Sequence, residues 1–178
     1  TSVTVSTTPT NSRFAAADAG DYRYAVAAIN RNGESGLVAI GGATTLATED
    51  AADLAFTDGG GANPATGYVI YRSKKNDASG IVYPIFSVSV GEKASGYDGA
   101  AATQVRDLNR FLPDTDSAFM IQNDTDVYSF KQLAPLMKMD LAVLSPAYRF
   151  MVLLYGTPIL YAPKKMVRFI NIGKQFPV

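Results

Sequence analysis

Alternation of side chains between residues 22 and 29 constrains the fold more than any other feature of this chain. Every second residue there is aromatic or aliphatic, namely Tyr22, Tyr24, Val26 and Ala28. Because successive side chains of a β-strand point to opposite faces, these four residues form one apolar face of a predicted strand. The sequence Asn-Arg-Asn-Gly at 30–33 tolerates positive φ and predicts a hairpin turn into a returning strand at 36–40. The stretch therefore predicts an antiparallel sheet with one buried face.

Strand patterns recur along the first two thirds of the chain, separated by glycine, proline and polar turns. They lie at 54–57, 68–72, 81–90 and near 104–109. Pro84 cannot donate to a ladder, so the strand at 81–90 is predicted at a sheet edge. Regular short strands of this kind predict a mainly β fold, an antiparallel β-sandwich. We expect residues 1–13 to form an extended arm or edge strand and residues 14–118 to form the sandwich.

The pattern changes after about residue 118, where glycine becomes scarce and the five methionines begin. Residues 126–143 are predicted to be half amphipathic helix and half irregular, since Pro135 interrupts a helix. Strands are predicted at 148–155 and 159–162, joined at Gly156–Pro158, and at 166–172. We therefore expect residues 119–178 to be a separate, small α+β segment.

The apolar tract 148–162 is too short for a membrane span, and Arg149, Gly156 and Pro158 interrupt it. We expect no membrane association. We expect instead that the tract is partly uncovered in an isolated chain and promotes self-association.

Charge and composition exclude several functional classes. The 178 residues contain 16 basic and 16 acidic side chains, with neither histidine nor cysteine. A zero net charge provides no long-range attraction for nucleic acid, so no specific nucleic-acid binding is predicted. Without histidine or cysteine, and with no serine in a nucleophile elbow, the chain is not expected to be an enzyme. We predict no catalytic residue, no cofactor and no metal site.

Several local patterns have a functional alternative that the sequence leaves open. The first is a set of carboxylates that we assign to turns and caps, with calcium binding as the alternative: Asp107, Asp114, Asp116, Asp124 and Asp126. The second is a pair of glycine runs, at 41–42 and from 59, that we interpret as flexible loops and not phosphate cradles. The third is the basic cluster 163–168, a predicted solvated strand edge, with an acidic neighbouring subunit and then nucleic acid as alternatives.

Tyrosines on the predicted strands also allow two interpretations. They occur at Tyr22, Tyr24, Tyr68, Tyr71 and Tyr83. Alternation favours core and cross-strand packing, and a sugar-binding platform is the alternative.

Residues 22–35 resemble the sixth strand and following turn of fibronectin type III domains. The shared pattern is Tyr-x-Tyr-x-Val-x-Ala-x-Asn-x-x-Gly-x-Ser, from Tyr22 to Ser35. Residues 67–73 resemble the third strand of that family and residues 105–109 the fifth. The resemblance implies a fibronectin III or immunoglobulin-like sandwich that is circularly permuted, because here the sixth and seventh strands come first. It then requires Tyr22–Ile29 to lie between 36–40 and 68–72, antiparallel to both.

The tail from Gln132 to Gly173 resembles the C-terminal end of major capsid proteins of tailed bacteriophages. The resemblance rests on PLMKMDLA, YRFMVLLYGTPILYAPKK and FINIG. It implies a structural virion protein in the capsid, a subunit or fragment of a shell that displays the immunoglobulin-like domain. The implied partners are copies of the chain in a symmetric shell and possible other virion proteins. The alternative is a secreted or tail-associated fibronectin-like adhesion module that binds glycan or a cell surface.

Overall fold

The chain forms two compact units in a computed structural model that describes residues 1–7, 9–58, 63–140 and 150–173. Unit 1 contains Thr1–Asp116 and resumes at Asn171, and unit 2 contains Ser117–Ile170. The domains predicted at 14–118 and 119–178 stay predictions, because a compact unit is defined by packing and a domain also by independent folding.

The larger sheet of unit 1 is centred on the strand that the alternation predicts. Its five strands are β2 (Gly20–Asn30), β3 (Gly33–Glu34), β4 (Val38–Leu46), β6 (Gly67–Ser73) and β7 (Val82–Ser89). Strand β2 pairs antiparallel with β4 on one side, where Tyr24 lies opposite Ile40. On the other side it pairs antiparallel with β6, where Tyr24 lies opposite Arg72. The predicted neighbours of residues 22–29 are therefore confirmed, and β7, which contains Pro84, lies at the predicted edge.

The smaller sheet of unit 1 has three antiparallel strands. They are β1 (Ser2–Ser6), β5 (Ala51–Ala55) and β8 (Gln104–Asp107), with β5 in the middle. The strand predicted at 54–57 thus begins and ends earlier than expected. The N-terminal residues form an edge strand of this sheet and do not pair with β2.

One apolar core joins the faces of the two sheets. Tyr22, Tyr24 and Val26 from β2 belong to the same buried cluster as Leu54 and Phe56. Leu54 and Ile70, from opposite sheets, are both fully buried. The shared core of residues from β2 and β5 was predicted from the period of two and is confirmed.

A short helix, α1 (Val90–Ser95), follows β7 and was not predicted from the sequence. Ser89 caps it: the backbone amide of Glu92 donates to the Ser89 hydroxyl at 3.2 Å, and the amide of Ser89 donates to the Glu92 carboxylate at 2.8 Å. This reciprocal pair is a capping box, which satisfies two amides at the helix N-terminus.

The glycine pair at 41–42 lies inside strand β4, so its interpretation as a flexible loop is wrong. Tyr22 lies opposite Thr44 and Tyr24 opposite Ile40, so three residues of β4 face the single residue between the tyrosines. Gly41 has φ +67° at this bulge, a conformation that glycine adopts without steric cost. The second glycine run begins at Gly59, and its residues 59–62 lie outside the described residues.

The described part of unit 2 contains strands and one 3-10 turn, Pro163–Lys165, and does not contain the α-helix expected of an α+β segment. The strands are β9 (Thr115–Ile121), β10 (Tyr128–Asp140), β11 (Phe150–Leu160) and β12 (Met166–Gly173). Strand β10 pairs antiparallel with β11, and β9 pairs with β12.

Two predictions for this region are wrong. The helix expected within 126–143 is strand β10 as far as residue 140, and the remainder, 141–143, lies outside the described residues. Pro135 falls within a register shift of the β10–β11 ladder, between Ala134 and Met137, where a residue without an amide hydrogen fits into a strand. The predicted break at Gly156–Pro158 is absent, because β11 continues through it.

No helix among the described residues of either unit is long and apolar enough to cross a membrane.

Candidate assembly surface

Strands β10 and β11 together form what we call the apolar ribbon, and it exposes many large apolar side chains. On β10, Leu133 is 89% exposed and Leu136 is 63% exposed. On β11, Phe150 is 57% exposed and Leu154 is 52% exposed. The prediction that tract 148–162 is partly uncovered is confirmed for its described part, residues 150–162. Exposed apolar surface on this scale is typical of an interaction site.

Both faces of β11 are apolar and exposed. Phe150, Val152 and Leu154 alternate on one face, and Met151 and Tyr155 lie on the other, and all five are exposed. A strand of a sheet with one solvated face alternates apolar and polar residues, whereas a strand covered on both faces is apolar throughout. The sequence of β11 is therefore typical of a strand that is covered on both faces, although its side chains are exposed among the described residues.

One end of the apolar ribbon is held by a local turn and by hydrogen bonds. The amides of Val127 and Tyr128 both donate to the carbonyl of Asp124, at 3.0 and 2.9 Å. The Val127 side chain is fully buried, and its carbonyl accepts from the amide of Tyr161 at 2.9 Å. These contacts close the ribbon where β10 begins and β11 ends.

Close packing of Phe130 explains the glycine in the middle of β11. A Cβ atom at Gly156 would lie 2.4 Å from Cε1 of Phe130 and 2.8 Å from the carbonyl oxygen of Lys131. Any larger residue would displace the ring or the backbone of β10. Gly156 therefore marks close approach of two strands, and not the chain reversal expected from its sequence context.

The basic cluster 163–168 begins with a single 3-10 turn, Pro163–Lys165, and continues into β12. Lys164 and Lys165 are exposed, and the guanidinium carbon of Arg168 lies 5.7 Å from the ring centroid of Phe119. This geometry fits the predicted solvated strand edge. An acidic neighbouring subunit and nucleic acid stay alternatives to it.

The acidic residues considered as calcium ligands serve separate local roles. Asp107 is buried beside Arg72, Asp114 forms an ion pair with Lys74 at 2.7 Å, and Asp124 closes the turn at the start of β10. Asp116 and Asp126 are exposed. Within the described ranges, no three acidic residues lie close enough together to hold a metal ion.

A buried polar network crosses the core of unit 1 and was missed by sequence analysis. Arg72 donates to Asp107 at 2.5 Å and to the side-chain oxygen of Asn109 at 2.7 Å. Tyr24 donates to the same Asp107 carboxylate at 2.9 Å. The Arg72 side chain is 1% exposed and that of Asp107 is 2% exposed. A charged pair buried in this way links the larger sheet, which contains Arg72, to the smaller one, which contains Asp107.

The pKa values of this network follow from burial and charge. Burial raises the pKa of Tyr24 well above its usual value, and the negative charge of Asp107 raises it further. Burial lowers the pKa of Arg72, but the adjacent Asp107 carboxylate more than offsets this, and the net pKa of Arg72 is raised. The Tyr24 phenol therefore stays neutral and the Arg72 guanidinium stays charged, so both keep donating hydrogen bonds to the Asp107 carboxylate.

The tyrosines proposed as an alternative sugar platform are mostly core residues. Tyr22, Tyr24 and Tyr68 are at most 3% exposed, which confirms the packing interpretation for these three. Tyr71 donates to Glu34, and the Lys74 ammonium lies 5.2 Å from the ring centroid of Tyr83. The five rings therefore do not form one exposed platform.

A second buried cation, Lys93, belongs to helix α1. The Lys93 ammonium contacts Asp58 at 2.6 Å and lies 4.7 Å from the ring centroid of Phe56. Hydrogen bonds from Lys93 and then from Tyr68 lower the pKa of the Asp58 carboxyl. Burial, followed by the hydrogen bond to Asp58, raises the pKa of Tyr68 to about 12.

Comparison with known proteins connects the chain to phage capsids. The chain is 35% identical over 103 residues to the major capsid proteins of Staphylococcus phages K and S25-3, a match that covers 58% of the chain and 21% of each relative. It is 31% identical over 103 residues to the putative major capsid protein of Enterococcus phage phiEF24C. No family model matches the chain. No solved structure matches it.

The aligned region spans about a fifth of the length of these relatives. The similarity supports a structural role in a phage capsid, as the sequence predicted, and confirms the predicted location in the virion capsid. The fibronectin-like assignment of unit 1 receives no support from the comparisons.

Proposed function

We propose that the chain is a subunit of a phage capsid shell, or a part of one, in which unit 2 contributes strands to the shell and unit 1 is a displayed sandwich. The similarity to major capsid proteins is the observation that carries this proposal. The exposed apolar residues of β10 and β11 support it, because shell contacts are formed by repeated burial of apolar surface. The partners are other copies of the chain, and the role is structural and not enzymatic.

We also propose that unit 1 is a permuted fibronectin III or immunoglobulin-like domain. The pairing of β2 with both β4 and β6 supports it, since the family's sixth strand pairs with its seventh and its third. The pairing of β5 with β8 supports it further, because the second and fifth strands of such sandwiches are neighbours. The sandwich in this proposal keeps the family's strand neighbours and changes only the order of the strands along the chain.

Quantitative mass spectrometry of purified particles tests the shell proposal. Peptides from both units should be present at the copy number of the most abundant particle protein, because a shell subunit is repeated by symmetry. Absence of these peptides, or a copy number of a few per particle, would contradict the proposal. A few copies per particle would favour the alternative, a tail-associated adhesion module.

A further inference from the structure

The two long edges of the apolar ribbon differ in how well they are protected against pairing. Strand β10 contains Lys131 and Lys138, and Pro135 lies in a register shift within it. Charged residues, proline and bulges are the devices that prevent an edge strand from pairing with another chain. The outer edge of β10 is therefore blocked.

Strand β11 has none of these devices over most of its length. Its sequence, Phe-Met-Val-Leu-Leu-Tyr-Gly-Thr-Pro-Ile-Leu, contains no charged residue, and its proline stands near the C-terminal end. Residues 150–157 are thus an uncharged, proline-free stretch. Among the described residues, β11 pairs with β10 along one edge. The other edge of β11 has no strand partner among these residues.

We propose that the free edge of β11 pairs antiparallel with β11 of a second copy of this chain, forming a four-stranded sheet in the order β10-β11-β11-β10. This inference rests on the proposed shell function and names the strand through which two copies meet. Main-chain hydrogen bonds between the two edges provide the affinity, as in other cases of strand addition.

The charge pattern of β11 favours a second copy as the occupant. A strand without charges meets its own copy with no like-charge repulsion, whereas an acidic or basic partner segment would find no counter-charge along β11. Apolar residues on both faces also suit self-pairing, because each side chain lies beside an apolar side chain of the partner on either face.

Two-fold symmetry makes the geometry of this contact specific. In an antiparallel pair of identical strands, one residue lies opposite its own copy, and directly opposed Cα atoms are about 4.5–5.5 Å apart. That separation is within the range that a disulfide spans. The next residues along the strand lie opposite different residues and are too far from their own copies to be bridged.

The absence of cysteine from the chain allows a clean test by single-cysteine scanning. Each position from 150 to 157 is replaced in turn by cysteine, and disulfide-linked dimers are measured under mild oxidation. The yield should peak at one position and fall at least about tenfold at the positions on either side of it. The control is Val167→Cys on β12, a residue that is 52% exposed and lies outside the proposed contact.

Analytical ultracentrifugation of a charged variant provides an independent readout. Leu154→Lys places a charge on the free edge and should raise the dimer dissociation constant at least about tenfold. The matched control, Val167→Lys, replaces a residue of equal exposure, 52% in both cases, and should leave dimerisation unchanged. Both variants alter exposed side chains, and circular dichroism should show the wild-type content of strand for each.

The outcomes distinguish this inference from the shell proposal. A dimer that cross-links at 167 and not within 150–157 overturns the β11 contact, and so does a chain that stays monomeric at high concentration. Either result is compatible with abundant chain in particles, which would leave the shell proposal standing. Absence of the chain from particles, with a β11 dimer in solution, would instead overturn the shell proposal alone.

Discussion

The two units contain apolar strands of similar length, but among the described residues these strands are covered in unit 1 and exposed in unit 2. In β2, Tyr22 and Tyr24 are 3% and 2% exposed, because a second sheet packs against their face. In β11, Phe150 and Leu154 are 57% and 52% exposed. The difference in exposure follows from the number of packed sheets. A sandwich buries one face of each of its two sheets, whereas a single two-stranded ribbon buries neither of its faces.

This comparison indicates where each unit obtains its stability. Unit 1 is stabilised by its own core, with burial contributing about 25 cal/mol per Å² of apolar surface. The apolar ribbon must obtain the corresponding burial from another surface. The consequences of substitution should therefore differ sharply between the two.

The largest effect is expected from the buried charge pair in unit 1. Arg72→Met removes the partner of Asp107 and leaves an unpaired carboxylate in the core, which should lower the free energy of unfolding by about 3–5 kcal/mol. Lys74→Met, two residues away, removes the ion pair with Asp114. The Lys74 side chain is 51% exposed, so water screens this pair, and the free energy of unfolding should stay close to the wild-type value. Urea unfolding followed by tyrosine fluorescence measures both. Equal losses would show that the network is not part of a closed core.

Truncation of a leucine in each unit tests the comparison directly. Leu54→Ala, at a residue with 0% exposure, should lower the free energy of unfolding by about 2–5 kcal/mol through lost burial and a cavity. Leu133→Ala, at a residue with 89% exposure, should change it by no more than about 0.5 kcal/mol. A comparable loss at Leu133 in a dilute chain would mean that β10 is covered within the monomer.

The bulge in β4 should give an intermediate effect. Gly41→Ala forces a side chain into the left-handed region and should cost about 1–2 kcal/mol. Gly42→Ala is the matched control, because a Cβ there meets no atom within 4 Å and φ is not in the left-handed region, so its effect should be close to zero. Thermal unfolding compares the two. A harmless Gly41→Ala would show that the bulge relaxes.

The smallest effect concerns pH and the Asp58 carboxyl. Its folded-state pKa is lowered by Lys93, so its contribution is complete above the unfolded value of about 3.9 and is lost as the pH falls through the folded-state pKa. Because Asp58 is 55% exposed, solvent screening should keep this contribution below about 1 kcal/mol. Asp58→Asn should therefore flatten the acid side of the stability profile. Profiles that coincide for the two proteins would exclude this role.

The sandwich was largely predictable because a period of two determines both the strand and its face. Tyr22, Tyr24 and Val26 indicated the core, and Pro84 indicated the edge. Helix α1 was missed because six residues show no periodicity, although the Ser-x-x-Glu spacing at Ser89 and Glu92 was a usable signal.

Unit 2 was predicted less well because its local patterns conflict with its pairing. Leu133, Leu136 and Met137 have helical spacing, yet they lie in β10, where pairing with β11 overrides the local preference. The polar network also escaped prediction, since no local pattern relates Arg72 to Asp107, 35 residues away. The exposure of the apolar ribbon was predictable, because an apolar tract interrupted by Gly156 and Pro158 suits neither a membrane span nor a small core.

Hydrogen exchange of the isolated chain tests the central claim most directly. The claim is that unit 1 buries its own apolar core, whereas the apolar ribbon depends on another surface for its burial. At concentrations well below the dimer dissociation constant, amides of β2 and β6 should exchange only through global unfolding of unit 1, whereas amides of Phe150–Leu160 should exchange much faster through local opening. Raising the concentration should slow exchange in β11 and leave β2 unchanged. Protection of β11 equal to that of β2 in the dilute chain would contradict the account.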